Sequence, residues 1–205
     1  QLELVLAPHG FDVDPLAVRN ATGLPVKVVP APEDMLFGDV LQQAATAADG
    51  DVLLKMDDDD WYAPDAVADL LRARAYSGAQ LTGMPPEFHY LAPVDVTVKR
   101  GHPTELYANV VAGGTMLVDR DVLREVGGFR SVRKYVDRQL LTAITAAGGA
   151  IYRTHGFGYL LRRNESGHTW QVDLEYLLDP PASSSAGTAS RPRASSSSET
   201  PSRRC

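Results

Sequence analysis

The sequence predicts an α/β fold in which a mostly parallel sheet is flanked by helices. Short apolar segments of strand length alternate, through the first half of the chain, with longer segments whose apolar residues recur at helical spacing. Such alternation implies parallel strands joined by right-handed crossovers. A hydrophobic content of 44% is enough for a real core, and 205 residues allow one domain with or without an appendage.

Individual elements follow from local start and stop signals. The first helix begins after Asp14 with Pro15 at its first position, and the other helices end at glycines such as Gly50 and Gly78. The second half of the chain has shorter strands separated by prolines and loops. The predicted strands are 2–7, 26–29, 52–56, 81–84, 88–91, 94–99, 115–118, 151–154 and 159–162, and the predicted helices are 15–20, 39–48, 64–76, 120–126 and 137–147.

The composition changes at residue 180 to Ser, Pro, Ala and Arg, with almost no large apolar side chain. Such a segment cannot bury enough surface to offset its ordering entropy. We therefore expect a folded domain over 1–179 and a disordered tail over 180–205. The tail has four Arg and one Glu, a balance of +3, so the total charge of −6 leaves about −9 on the domain. This acidic body argues against nucleic acid and favours a metal-bridged anion as ligand.

Cellular location is indicated only indirectly. The single cysteine, Cys205, rules out an internal disulfide and fits a reducing compartment. No apolar segment approaches the length of a membrane span, and no amino-terminal signal is visible. These features lead us to expect a cytoplasmic protein without a membrane span.

Four consecutive acids, Asp57 to Asp60, directly follow the predicted strand 52–56 and precede Pro64. The carboxyl end of a parallel strand is where open α/β sheets bind their ligands. Adjacent carboxylates repel one another unless a cation lies among them. A divalent metal that holds a substrate phosphate satisfies both conditions. The alternative is a solvated acidic turn that caps the next helix.

Three segments, in this order, resemble segments of the family-two glycosyltransferases. The first is KMDDDDWYAPDAV, which resembles the metal and donor segment of that family. The second is AGGTMLVDRDVLREVGGFR, and the third is YVDRQLLTAITAAGGAIYRT, which resembles a helix that normally opens with Glu-Asp. The resemblance covers about residues 2–170. It implies the GT-A fold, a Rossmann-like, mostly parallel central sheet flanked by helices.

The resemblance implies an inverting transfer of a sugar from a nucleotide diphosphate sugar to an acceptor hydroxyl. Asp57 and Asp59 correspond to the family's D-x-D pair, which implies that both serve an Mn²⁺ or Mg²⁺ ion, with Asp59 as the more direct ligand. Asp57 would also lie near the ribose. Asp58 and Asp60 would face the sugar or cap the following helix, and for Asp60 we expect the cap. The acceptor, whether a glycan, a lipid-linked molecule or a small molecule, stays open.

Asp137 matches the second acid of the Glu-Asp pair, with Val136 where Glu is usual. The resemblance implies that it is the general base that takes the proton of the acceptor hydroxyl. The alternative is an Asp that only caps its own helix. Gly113 and Gly114 permit close backbone approach to the acceptor or sugar, although they also suit a plain turn.

Histidine and arginine residues complete the expected site. The family often has a histidine that reaches the metal or phosphates, and His168 is preferred over His155 for that role. Arg162 and Arg163 are close to His168 in sequence and are expected to bind diphosphate, although they also suit an ordinary strand end.

The sequence departs from the family in two places besides Val136. A strand and helix that usually precede the segment 2–7 are absent here, which leads us to expect an incomplete nucleotide pocket. His9 lies where an Asp that contacts the base is usual, so the base stays open. A catalytically inactive binding module is therefore an alternative. A nucleotidyltransferase is a further one, although it would normally show a Gly- and Lys/Arg-rich phosphate loop.

Overall fold

The computed structural model describes residues 1–164. His168 and the predicted tail 180–205 lie outside these residues. The helices are α1 (Pro15–Thr22), α2 (Phe37–Ala47), α3 (Ala66–Ser77), α4 (Arg120–Glu125) and α5 (Val136–Ala146). The strands are β1 (Leu4–Leu6), β2 (Val26–Val28), β3 (Val52–Lys55), β4 (Trp61–Tyr62), β5 (Leu81–Gly83), β6 (Phe88–Leu91), β7 (Val96–Lys99), β8 (Leu106–Tyr107), β9 (Met116–Asp119), β10 (Ile151–Arg153) and β11 (Tyr159–Arg163).

The central sheet has five strands in the order β3-β9-β5-β10-β8. β3, β5 and β10 run in one direction, whereas β9 and β8 run in the other. The α/β architecture is thus confirmed, but its strand pairing is mixed. The reason is that the chain enters β9 from a loop that already lies at the carboxyl ends of β3 and β5. The Ala112 N–H donates to the Met84 carbonyl there, and the Lys55 side chain contacts the Gly113 carbonyl.

Two smaller sheets lie beside this one. β1 and β2 form a parallel pair, and a four-stranded sheet has the order β4-β11-β6-β7. β4 was not predicted, because Trp61 and Tyr62 are too few to give a strand pattern and extend only by pairing with β11. Pro64 lies two residues before α3 rather than within it.

The core lies on both faces of the central sheet, as the alternation of side chains along β9 indicates. Met116 and Val118 join a cluster with α4 and α5, whereas Leu117 joins a cluster with α3. The helices therefore cover opposite faces of the central sheet, and they do not cover the ends of its strands, where a ligand could bind. No helix within residues 1–164 has the length and apolar composition needed to cross a membrane.

The carboxyl ends of β3, β5 and β10 meet at one edge, because these strands share a direction. Lys55 pairs with Met116, and Arg153 pairs with Gly83. Continuing the β5–β9 register by one residue places Gly83 opposite Met116. These four residues form one row across the sheet, and the candidate site lies at the β3 end of that row.

Candidate active site

The acidic turn is tied to the loop before β9 by a tyrosine. The Tyr62 hydroxyl accepts a hydrogen bond from the Asp57 N–H at 2.9 Å and donates one to the Gly114 carbonyl at 2.8 Å. Tyr62 lies next to Tyr159, with ring centroids 5.4 Å apart. Burial, together with the nearby carboxylates, raises the pKa of the Tyr62 hydroxyl, so the hydroxyl stays protonated and can donate.

Lys55 joins two of the predicted site residues. Its Nζ lies 2.6 Å from Asp57 Oδ1 and 3.4 Å from Asp137 Oδ1, and it donates to the Gly113 carbonyl at 3.2 Å. Only 7% of the Lys55 side chain is exposed. Burial lowers the pKa of Lys55, but the charges of Asp137 and Asp57 outweigh burial, so that the pKa is raised. The ammonium group therefore stays charged between the two carboxylates.

Asp137 faces this lysine from the first turn of α5. Its Oδ1 is buried and, apart from the ion pair with Lys55, has no polar partner among residues 1–164, although 37% of the whole side chain is exposed. Burial raises the pKa of Asp137, and the opposing effect of Lys55 does not cancel this. The cap residue of α5 is Tyr135, whose side chain makes no capping hydrogen bond. Asp137 thus points to Lys55, and within residues 1–164 no backbone N–H donates to it.

Gly113 and Gly114 bring the backbone against the two carboxylates. A β-carbon at residue 113 would overlap the Asp137 carboxylate. One at residue 114 would lie 3.0 Å from Asp57 Oδ2 and 2.8 Å from the Tyr62 hydroxyl. Two glycines are therefore required by space at this point, and a plain turn does not explain them.

The other acids of the turn differ in their surroundings. Asp58 and Asp59 are exposed, whereas Asp60 is half-buried. Asp60 accepts hydrogen bonds from the Tyr159 hydroxyl and from the Arg162 N–H, and burial raises its pKa. The predicted helix cap at Asp60 is therefore wrong, because β11 pairs beside the turn and supplies closer donors than α3.

The remaining predicted residues lie apart or at the edge of this group. His155 Nε2 lies 3.3 Å from Asp69 of α3, and the His155 N–H donates to Glu105, so its contacts are not with the acidic turn. Arg162 lies over the Trp61 ring at 5.7 Å. Arg163 ends β11, where burial lowers its pKa.

An aromatic cavity of about 320 Å³ opens directly after the acidic turn. Trp61, Phe88, Phe157 and Tyr159 are among the residues that line it. The Trp61 ring stacks on Tyr90 with centroids 5.3 Å apart. The exposed rings of Trp61 and Phe157 are suited to the apolar face of a sugar ring.

The acids fit a divalent cation only if a substrate shares it. Within residues 1–164 no three His, Cys, Asp or Glu side chains come close enough to hold a metal alone. Asp57 and Asp59 supply hard carboxylate oxygens, which Mg²⁺ and Mn²⁺ prefer. Mg²⁺ is commonly bound by one or two carboxylates together with substrate phosphates and water. Asp57 and Asp59 therefore form a donor set of two carboxylates, which fits a metal ion whose coordination is completed by substrate phosphates and water.

Two solved structures share this fold. S. aureus TarS residues 1–349 with UDP-GlcNAc aligns with a TM-score of 0.60 and 14% identity over 83% of this chain and 52% of that one. The mannosyltransferase PcManGT of Pyrobaculum calidifontis with GDP-Man and Mn²⁺ aligns with a TM-score of 0.60 and 17% identity over 80% and 49%. The chain thus has the GT-A fold and spans about half the length of these structures. The search of curated proteins found no match.

The sequence profile described as Glycosyl transferase family 2 matches residues 16–141, more than half of the chain. The chain belongs to this family. The matched range includes the acidic turn, the two glycines and Asp137.

Three residues of the site escaped sequence reasoning: Lys55, Tyr62 and Tyr159. One signal for Lys55 was available, since it is a single cation in an otherwise apolar strand, two residues before Asp57. Residues i and i+2 of a strand share a face, so a contact between them was foreseeable. The tyrosines gave no such signal. Tyr62 donates to Gly114, and Tyr159 donates to Asp60, 52 and 99 residues away in sequence. Tyr62 also bonds Asp57, five residues before it, but no local pattern predicts that contact.

Proposed function

We propose that this chain is an inverting, metal-dependent glycosyltransferase that moves a sugar from a nucleoside diphosphate sugar to an acceptor hydroxyl. The observation that carries the proposal is the Asp57–Lys55–Asp137 arrangement. One buried ammonium group contacts both the D-x-D acid and the acid expected to be the base. Family membership and the nucleotide sugars bound by TarS and PcManGT support the same conclusion.

Asp137 is suited to accept the proton. A lone pair of the acceptor hydroxyl oxygen attacks the anomeric carbon, and the bond from that carbon to the diphosphate breaks. The electron pair leaves with the nucleoside diphosphate, and the hydroxyl proton passes to the Asp137 carboxylate. Its raised pKa makes it a better base than an exposed aspartate. A single displacement of this kind inverts the anomeric carbon and needs no protein nucleophile.

Lys55 has a positioning role in this proposal. Asp57 and Asp137 would repel each other across the edge of the sheet, and the Lys55 ammonium group offsets that repulsion. When bound, Mn²⁺ or Mg²⁺ would neutralise charge on the departing diphosphate. Asp57 and Asp59 would hold the ion, and the aromatic cavity beside Trp61 would contact a sugar ring.

The test is release of nucleoside diphosphate and formation of a glycoside by the chain, assayed with UDP- and GDP-sugars and a mixed set of acceptors. We expect turnover that requires Mn²⁺ or Mg²⁺ and stops with a chelator. An anomeric configuration opposite to that of the donor is expected in the product. Retention of configuration would contradict the mechanism.

The inactive-module alternative has one specific observation in its favour. Val136, the first residue of α5, stands where the family usually has Glu, and its side chain is buried. Binding of a nucleotide sugar by calorimetry, with no release of diphosphate in any acceptor mixture, would favour that alternative.

A further inference from the structure

A second group of basic side chains includes Arg153, which lies in the same row of the central sheet as Lys55. We define the basic cluster as Arg100, Arg153, His89 and His102. Arg153 ends β10, His89 lies in β6, and the other two flank Gly101 in the loop after β7. The Arg100 N–H donates to the Glu87 carbonyl at 2.9 Å and the His102 N–H to the Glu87 carboxylate at 2.7 Å, which holds this loop beside His89, two residues after Glu87 in the chain. The charges of Arg100 and His102 act on His89, and that of Arg153 acts on His102.

Arg153 is a buried charged member of the basic cluster with few hydrogen-bond partners. Only 3% of its surface is exposed. A guanidinium group has five N–H donors, yet here Nη1 donates to the Val110 carbonyl at a long 3.4 Å and Nε has no partner among residues 1–164. No carboxylate of residues 1–164 forms an ion pair with it. Burying such a charge without partners is costly.

His89 is a second buried member of the basic cluster with a polar atom that lacks a partner among residues 1–164. It is 5% exposed, and its Nδ1 has no partner among residues 1–164. Burial, aided by the neighbouring positive charges, lowers its pKa to about 4. An anion beside His89 would offset the effect of the neighbouring positive charges on its pKa.

Glu87 is the carboxylate whose charge acts on Arg153, and its oxygens are already engaged. Oε2 accepts from the His102 N–H at 2.7 Å, and Oε1 accepts from the Gly101 N–H at 3.2 Å. Lys99 lies 3.9 Å from Oε1 as well. Glu87 therefore holds the loop and acts on Arg153 only at longer range.

We propose that the basic cluster binds an acidic group, phosphate or carboxylate, carried by the acceptor. An oxyanion presents several acceptor atoms to a guanidinium group and forms charge-assisted hydrogen bonds with it. His102 and Arg100 are the partly exposed members of the cluster, so a ligand would approach it past these two residues. This inference rests on the proposed transferase function for the identity of the ligand, but not for the existence of an anion site.

Position favours the acceptor over the donor. Arg153 and Lys55 lie in the same row of the sheet, three strand spacings apart, which is about 14 Å. That separation exceeds the reach of a diphosphate held by Asp57 and Asp59. The loop between the two points contains Val110, held by Arg153, and Gly113, which contacts Asp137. An acceptor anchored at Arg153 would thus extend along this loop to the candidate base.

The first experiment follows anion binding without turnover. The imidazole signals of His89 and His102 are recorded by NMR while inorganic phosphate, and separately acetate, is added to the full chain. We expect saturable shifts of both signals in the millimolar range. Arg153→Met should weaken phosphate binding roughly 10- to 100-fold, which is the contribution expected of charge-assisted hydrogen bonds. Arg153→Lys keeps the positive charge and should recover part of the phosphate affinity.

Folding is controlled separately, because Arg153 is buried. Each variant is compared by its melting temperature and by the spectrum of the rest of the chain. His102→Gln, a change at a partly exposed residue, gives a second test that does not disturb the interior. It should also weaken phosphate binding. Phosphate shifts that are equal in wild type and both variants, or no shifts at all, would overturn the site.

The second experiment identifies the source of the anion. Transfer is measured with matched acceptors, glycerol against glycerol phosphate and a methyl glucoside against the corresponding glucuronide. We expect the acidic member of at least one pair to have a kcat/KM about 10-fold higher or more, and the ratio to approach one in Arg153→Met. The two pairs distinguish phosphate from carboxylate. No preference in either pair would overturn the acceptor assignment.

A third measurement tests whether the basic cluster binds the donor diphosphate rather than the acceptor. The affinity for UDP or GDP with Mn²⁺ is measured in wild type and Arg153→Met. A loss equal to the loss in phosphate affinity would put the donor diphosphate in the basic cluster and overturn the proposal. Phosphate binding with no transfer from any donor would instead contradict the proposed function and leave the anion site supported.

Discussion

Gly113 lies so close to Asp137 that a β-carbon at residue 113 would overlap the Asp137 carboxylate. The φ angle of Gly113 is not in the left-handed region, unlike those of seven other glycines among residues 1–164. Space rather than backbone conformation therefore demands glycine here. The contact holds the carboxylate between the loop before β9 and Lys55.

Gly113→Ala should misplace the Asp137 carboxylate while leaving the fold intact. The added methyl group must displace a side-chain carboxylate, which is flexible at its far end, so the free energy of unfolding should fall only slightly. Misplacing a catalytic group by about 1 Å costs roughly 10²-fold in rate. Measuring kcat/KM and melting temperature checks this.

Gly50→Ala is the matched control for that change. A β-carbon at residue 50 would make only ordinary contacts, the nearest at 3.5 Å from the Val52 carbonyl. An equal loss of kcat/KM in both variants would mean that the effect at Gly113 does not arise from its contact with Asp137.

The metal prediction concerns Asp59, an exposed acid of the turn. Mn²⁺ with a nucleoside diphosphate should raise the melting temperature of wild type by preferential binding to the folded chain. Asp59→Asn should abolish that rise and leave the melting temperature of the free chain unchanged. Differential scanning fluorimetry measures both quantities.

Asp65→Asn is the control for Asp59→Asn. Asp65 is exposed, precedes α3, and forms no capping hydrogen bond with its side chain. The same charge change there should leave the metal-dependent rise intact. A persistent rise in Asp59→Asn would exclude Asp59 from the metal site.

Much of the fold was predictable because strand and helix patterns are local. The helices found at α2, α3 and α5 agree with predicted segments to within about two residues at most ends. The antiparallel direction of β9 was not predictable, because it depends on where the preceding loop lies. That loop is fixed by Met84 and Lys55, residues 31 and 58 positions away from their respective partners Thr115 and Gly113.

The site was predictable only in part, for a related reason. Asp57, Asp137 and the glycine pair were recognised by their place in the order of segments, and the structure brings them into contact. Asp60 was assigned to the helix that follows it, but β11 reaches it from 99 residues away. A capping preference is a local rule, and a tertiary partner overrides it.

The pH dependence of stability should contain a component from His89. Burial, with Arg100, Arg163 and His102, lowers the pKa of His89 to about 4, below its ordinary value of 6.5. Between these values the unfolded chain binds more protons than the folded chain, so stability falls as pH falls. The full difference of about 2.5 pH units corresponds to roughly 3 kcal/mol.

His89→Gln removes that component. Urea unfolding of wild type and variant in phosphate-free buffer, at pH 7 and near pH 4, gives the difference in free energy of unfolding at each pH. The difference should change in favour of the variant as pH falls. A difference that is constant with pH would show that His89 titrates alike in both states. Added phosphate should reduce the effect if the basic cluster binds it.

Asp137→Asn separates a catalytic acid from a structural one. The amide keeps the shape of the carboxylate but cannot take a proton from the acceptor hydroxyl. General base catalysis contributes about 10²- to 10⁴-fold, so kcat should fall by that factor. Donor affinity should change little, since the lost interaction belongs to the transition state. Because the Asp137 carboxylate carries no capping bond in α5, the melting temperature should not fall through loss of a cap.

Asp121→Asn is the matched control, because Asp121 is also an acid in the first turn of a helix, α4, but is exposed and forms an ion pair with Arg124. It should retain wild-type transfer. A general loss of activity in both variants would indicate an effect of helix charge rather than of the base. Near-normal transfer by Asp137→Asn would show that Asp137 is not the base, and the proton would then have to pass to another group at the carboxyl edge of the sheet. Asp58 and Asp59, both exposed in the acidic turn, are the next acids to test there.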